Sequence, residues 1–402
     1  MVALLILTAT FVVLAIGRFP GLRIDRAGAA IVGASLMVAS GTLRFDEALR
    51  AVDWATIVLL LGMMIVVANL HLSGFFRLVA ARVVEHAHSP KMLLAGIIGV
   101  SGVLSAFFVN DTMCIVLTPL VVHVTLALNR NPVPYLLAVA LAANAGSVAA
   151  ITGNPQNMMI GALSGIPYPK FAAALAPVAA VSLAIVWLAL VAVYREEFAS
   201  GRFERVDVGR IRVNRPMLWK AAAVSAGMVF FFFRGWPVAQ TAIVAGAVLL
   251  VTRRIKPEKV YHDIDWPLLS MFAGLFIVVR GFETTALERN LLDFAEGTPL
   301  DRPAVLSLFS AIASNLVSNV PAVLLFKPVV VKLADPALSW LTLAMSSTLA
   351  GNFTLVGSVA NLIVVERARP EVQIRFMDHF KVGAPVTVLT LAAGAAWLEW
   401  LR

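Results

Sequence analysis

Residues 135–166 form an apolar run long enough to cross a bilayer, yet its centre reads ITGNPQN at 151–157. Gly153, Asn154, Pro155, Gln156 and Asn157 are poor material for a continuous spanning helix, and lipid penalises every backbone N–H or C=O that lacks an internal partner. Such a break is tolerated at membrane depth only where protein buries it or where it lines a wet cavity. Composition sets the depth. Hydrophobic residues make up 60% of the chain and charged residues only 14%, whereas soluble proteins are nearer a quarter charged. Many runs approach the ~20 apolar residues that a crossing needs, and the short alternating segments of a β-barrel are not seen. The sequence predicts an all-α polytopic membrane protein.

Spans are expected at about 2–17, 27–42, 54–72, 135–166 (broken), 171–194, 217–233, 237–252, 266–281, 337–365 (broken) and 382–401. The first run, with a basic flank at 18–26 and no small-residue cleavage site, reads as a span rather than a cleaved signal. Two further stretches, 91–128 and 303–333, have polar centres, FFVNDT (107–112) and LVSNVP (316–321), and read as re-entrant hairpins. FFRLVAARVVEHAH (75–88) reads as an amphipathic helix on the interface. With the N-terminus outside, roughly 22 basic residues fall on the cytoplasmic side and about 10 outside. The net charge of +9 is therefore membrane topology, with some attraction to anionic lipid. Both termini are expected outside a bacterial inner (plasma) membrane. The lone Cys114 excludes an internal disulfide and a cysteine metal cluster.

The two halves are related. DWATIVLLLGMMIVV (53–67) aligns with DWPLLSMFAGLFIVV (265–279), and SAFFVNDTMCIVLTPLVV (105–122) with SNLVSNVPAVLLFKPVVV (314–331). TGNPQNMMI (152–160) aligns with VGSVANLIV (356–364). Ser105 meets Ser314, Asn110 meets Asn319, Pro119 meets Pro328, Gly153 meets Gly357 and Asn157 meets Asn361. Residues 1–194 are read as a first repeat, 195–216 as a cytoplasmic linker and 217–402 as a second repeat. Each repeat holds five crossings and one hairpin. Five is odd, so the second begins on the opposite face, which is the inverted-topology architecture of many secondary transporters.

Broken helices and hairpin tips place helix N-termini beside unwound carbonyls. The former suit an anion, and the latter suit Na⁺ or a hydroxylated neutral solute. Both tips and both breaks are expected to converge near the midplane. The candidate ligands are Asn110, Asp111 and Thr112 at the first tip and Ser318 and Asn319 at the second. The breaks supply Thr152, Gly153, Asn154 and Asn157, and Thr354, Gly357, Ser358 and Asn361. A Na⁺ site is expected near Asn110, Asp111, Asn154, Asn319 and Ser358. A carboxylate at membrane depth is costly and usually functional, so Asp111 reads as a coupling-ion or proton carrier; the rival reading is a cap on the second arm. The asparagines and serines have the same rival, and Thr152 and Thr354 have that of bonding back to their own helix. Arg280 and Lys327 read as snorkelling cations, His71 and His123 as interfacial or packing residues, and Trp54 and Trp266 as interfacial anchors.

The order of hairpin tip, proline-ended second arm and Gly-Asn-Pro-x-Asn break resembles the ion transporter superfamily, which includes arsenite permeases, NhaD-type sodium/proton antiporters and divalent-anion/sodium symporters. FVNDTMCIVLTP is most similar to the first tip of the arsenite-permease branch. The symporters carry Ser-Asn-Thr at both tips, where this chain has Asn110-Asp111-Thr112 and Ser318-Asn319-Val320. The resemblance implies secondary active transport of a small anion or metalloid oxyanion, of the arsenite or dicarboxylate class, coupled to H⁺ or Na⁺. The alternatives are a Na⁺/H⁺ antiporter using Asp111 and, from another class, an ion channel. An enzyme is not expected, because neither HExxH nor GxSxG is present. Beyond H⁺ or Na⁺ as coupling ion no cofactor is expected. Expected partners are a small inorganic or organic anion and membrane lipid, with a homodimer left open; nucleic acid is not among them.

Overall fold

The computed structural model describes residues 2–16, 24–199, 213–251, 255–283, 297–369 and 371–402. Among these it is helical, and the helices repeat in order. The first half comprises α1 (Val2–Ile16), α2 (Arg26–Ala39), α3 (Phe45–Ala51), α4 (Trp54–Ser73), α5 (Phe75–His86), α6 (Pro90–Phe107), α7 (Asn110–Ala127), α8 (Pro132–Ser147), α9 (Pro155–Ser164) and α10 (Tyr168–Val193). After α11 (Arg195–Ala199) come α12 (Arg215–Phe233), α13 (Val238–Leu250), α14 (Pro257–His262), α15 (Trp266–Glu283), α16 (Pro303–Val317), α17 (Asn319–Val330), α18 (Pro336–Ala350), α19 (Val359–Ala368) and α20 (Phe376–Leu401). The short α3 and α14, just ahead of Trp54 and Trp266, were not legible in the hydropathy. Residues 284–296, between α15 and α16, and most of the expected linker lie outside the described residues.

Local chemistry sets the boundaries. Ser89, Asn131, Asn154 and Asp335 each cap a helix with a side-chain oxygen, and a proline follows each at the first helical position, where its missing N–H costs nothing. α5 buries Phe76, Ala80, Ala81 and Val84 and leaves Arg82 exposed, as an interfacial helix does. Seven of the described helices are long and apolar enough to cross a membrane. Two of them, α6 and α7, are the arms of an expected hairpin; α4, α10, α12, α15 and α20 are expected crossings, and the remaining expected crossings are the shorter α1, α2 and α13 and the two broken pairs α8/α9 and α18/α19. Pro328 lies in the last turn of α17, but Pro119 lies inside α7, which continues to Ala127.

The halves interlock. α2 of the first packs along α15 of the second, and α13 of the second packs along α4 of the first. The aligned glycines of the DW blocks sit at these crossings. A Cβ on Gly62 would stand 2.6 Å from the backbone of Ala242 and Ile243, and one on Gly274 would stand 2.7 Å from the backbone of Ala30. Backbones this close admit no side chain.

Candidate transport site

α6 and α7 form one helical hairpin, turning at Phe108 and Val109; α16 and α17 form the other, turning at Ser318. Ser318 holds φ at +76°, a strained value for a residue with a Cβ, as at many ligand sites. The breaks lie beside the tips. The first passes from α8 through a 3-10 turn at Ile151–Gly153 into α9, and the second from α18 through Leu355–Gly357 into α19.

Each break is closed by an asparagine in the first turn of the restarted helix. Asn157 Nδ2 donates to Ser147 O at 3.1 Å and Ala150 O at 3.2 Å. Asn361 Nδ2 donates to Gly351 O at 2.8 Å and Thr354 O at 3.0 Å. These bonds satisfy carbonyls that an interrupted helix leaves open. The breaks are also tied across the halves. Asn154 Nδ2 donates to Thr348 Oγ1 at 3.2 Å, and Ser358 Oγ donates to Asn144 Oδ1 at 3.1 Å. Asn144 is a hub: its Nδ2 donates to Asn352 Oδ1 at 2.9 Å and Asn361 Oδ1 at 3.1 Å, and its Oδ1 also accepts from Asn110 Nδ2 at 3.0 Å. Sequence reasoning missed Asn144, Asn352 and Thr348. The signal was there: Asn144 and Thr348 stand as far apart in the chain as Asn157 and Asn361 do.

A cavity of about 320 Å³ opens between the tips and the ends of α2 and α15. Of the expected ligands, Asn110, Asp111, Ser318, Asn319 and Ser358 line it. Gln156 joins them and donates to Thr348 Oγ1 at 3.1 Å. Its charged wall residues are Asp25, Arg26, Asp111 and Asp265, of which only Asp111 was expected. The Oδ1 atoms of Asn110 and Asn319, and the hydroxyls of the aligned Ser105 and Ser314, are buried with no hydrogen-bond partner. Thr112, Thr152, Gly153, Asn154, Asn157, Thr354, Gly357 and Asn361 stand off the wall. Thr152 is occupied by Tyr168 Oη at 2.9 Å and Ala106 O at 3.3 Å. Arg280 and Lys327 also lie elsewhere, both on Glu283, at 2.9 and 3.1 Å. His71 pairs with Asp263 at 3.0 Å.

A model of the citrate transporter family matches residues 3–350 and 291–401. The chain is 29% identical to a silicon efflux transporter, LSI3, of Oryza sativa subsp. japonica, over 93% of this chain and 92% of that one. It is 23% identical to a putative transporter, arsB, of Dictyostelium discoideum, over 93% of this chain and 87% of that one. The YdaH transporter of Alcanivorax borkumensis shares the fold with a TM-score of 0.63 at 16% identity, over 99% of this chain and 96% of that one. The family and these relatives are transporters, not enzymes.

Proposed function

We propose that this chain, which belongs to the citrate transporter family, is a secondary active transporter of a small oxyacid or anion, driven by H⁺ or Na⁺ through alternating access. One observation carries the reading. Asp111 lines a cavity shared by both hairpin tips and makes no hydrogen bond or ion pair among the described residues. A carboxylate left uncommitted at membrane depth is kept where it binds an ion or moves a proton. The buried, unpartnered amide oxygens of Asn110 and Asn319 suit a dehydrated Na⁺. Among the described residues the wall carries three carboxylates to one guanidinium, which disfavours a free tricarboxylate and favours an undissociated oxyacid, such as arsenous or silicic acid, whose hydroxyls both donate and accept. The rice relative named for silicon efflux agrees with that choice.

Re-entry of the hairpins is supported by α8. It starts beside the base of α7, meets the tip at Asn144, and the chain then continues through the break and α9. The tip is therefore well short of the far face. With the basic residues inside, the cavity opens to the cytoplasm.

The acidic wall also supports Na⁺/H⁺ exchange as a second reading. Purified protein in liposomes, under imposed Na⁺ and H⁺ gradients with arsenite, silicic acid and citrate, separates these. Accumulation of a solute above equilibrium supports the first reading; cation exchange without solute uptake supports the second. Uncoupled downhill flux alone, as through a channel, defeats both.

A further inference from the structure

Two of the four charges on the cavity wall are spoken for. Asp25 Oδ1 accepts from Gly28 N–H at 2.8 Å and caps α2. Asp265 Oδ1 accepts from Leu268 N–H at 2.9 Å at the start of α15. The other two are free. Neither the Arg26 guanidinium nor the Asp111 carboxylate makes a hydrogen bond or ion pair among the described residues, although the two interact electrostatically across the cavity. They sit on different bodies. Asp111 is in the first turn of the hairpin arm α7, and Arg26 opens α2, which is packed on α15. Among the described residues no other cationic side chain lines the cavity. The remaining titratable groups facing Asp111 are the capped Asp265 across the cavity and the buried Cys114 one turn along α7.

An arginine in a protein is a permanent cation on a long, jointed stem. A carboxylate is neutralised by a proton, by Na⁺ or by such a guanidinium, and one partner occupies the place of another. We propose that Arg26 is the stand-in cation for Asp111: in the unloaded carrier its guanidinium closes onto the carboxylate, and an arriving H⁺ or Na⁺ displaces it toward the oxygens of the solute. This rests on the transport reading above and deepens it. The unloaded carrier is then internally neutralised and free to reorient. With its ion bound, the Asp111 carboxylate is again neutralised, and the guanidinium keeps a net positive charge to offer the oxygens of the solute. A carrier holding solute without the ion has its guanidinium drawn both ways, so ion and solute load together. No bond is made or broken except the transfer of the coupling proton or Na⁺ between solvent and Asp111.

Two measurements on the full-length protein test this. The first needs no solute. Thermal unfolding in detergent is followed across pH and Na⁺ concentration for wild type, Arg26→Gln, Arg26→Lys and Asp111→Asn, with the Asp111→Asn curve as the background. A built-in competitor weakens apparent ion binding by the fraction of time it occupies the site, so removing it in Arg26→Gln should tighten the Asp111-dependent midpoint about tenfold. Arg26→Lys should stay near wild type. An Arg26→Gln midpoint equal to wild type overturns the proposal.

The second measurement uses liposomes and whichever of arsenite, silicic acid or citrate the wild type accumulates. At saturating solute, which offsets the lost contact to its oxygens, net gradient-driven uptake by Arg26→Gln should fall at least tenfold while exchange of labelled for unlabelled solute survives, because the empty return step has lost its stand-in. Loss of exchange in the same proportion as net uptake makes Arg26 a plain solute ligand and sinks the idea. Failure of wild type to move any of the three solutes defeats the transport reading, and the unfolding midpoint still decides the role of Arg26.

Discussion

Asn154 and Thr348 lie 3.2 Å apart, nitrogen to oxygen, and the bond between them joins the first half of the chain to the second. Its mirror is the 3.1 Å bond from Ser358 to Asn144. In each, the residue that caps the restarted helix of one half is held by the helix that leads into the break of the other. The breaks are thus rigid points, each fastened by the opposite repeat, around which the less constrained hairpin tips are arranged.

Asn144→Ala should be among the most destabilising single changes. It strips partners from Asn110, Asn352, Ser358 and Asn361 at once, and buried polar groups left unpaired cost about 1–3 kcal/mol each. A loss of about 3 kcal/mol is expected, read as a lower unfolding midpoint in detergent. Thr348→Val should cost about 1 kcal/mol, because Asn154 keeps its second contact, Ser147 Oγ at 2.9 Å, and Gln156, which also loses its bond to Thr348, lines the cavity.

Asp111→Asn keeps size and hydrogen-bonding ability but removes the titrating charge. It should abolish uphill accumulation in liposomes, leave the protein folded and leave solute binding partly intact. If accumulation persists with its pH and Na⁺ dependence unchanged, Asp111 is not the coupling carboxylate; it is not a helix cap either, since the N-cap of α7 is Val109 and no side chain caps it. Val320 occupies the matching place on the second tip, so substitution at Ser318 should weaken solute affinity more than it alters ion coupling.

Gly62→Val and Gly274→Val should each lose folded protein, since a side chain there meets backbone rather than a movable group; overpacking of this kind costs about 2 kcal/mol or more. Gly99→Ala is the control. Nothing lies within 4 Å of a Cβ at Gly99, and alanine in a helix interior should be neutral or stabilising. Yield of monodisperse protein on size exclusion reads the difference.

Orientation is checked with single cysteines in a Cys114→Ser background. A cysteine replacing the exposed Glu196 should resist an impermeant thiol reagent in intact cells, while one replacing the exposed Lys170 should react. The opposite pattern would place the cavity mouth on the outer face.

Much of this was written in the sequence because it is local or repeated. A broken span shows as Asn-Pro within an apolar run, a hairpin tip as polar residues between two apolar arms, and the repeat as matched blocks. The glycines of the DW blocks align because each marks a crossing. Arg26 and Asp265 were hidden for the opposite reason. Each looks like an ordinary polar residue at a helix end, and only the packing of α2 on α15 brings them to face Asp111. Asn144 was overlooked because one polar residue among alanines disturbs a hydropathy reading very little, yet at depth it carries the network.

The crossings at Gly62 and Gly274 have a consequence for biosynthesis. α4 leaves the ribosome long before α13, the helix that covers it, has been made, and α2 likewise waits for α15. The first half is therefore inserted with two of its faces uncovered, and only the arrival of the second half completes it. Neither half is a self-sufficient unit of assembly. A product truncated after α10 is an unfinished surface for the cell's quality control to find, and a gene split at the central linker would make two polypeptides, each carrying the helix that the other lacks.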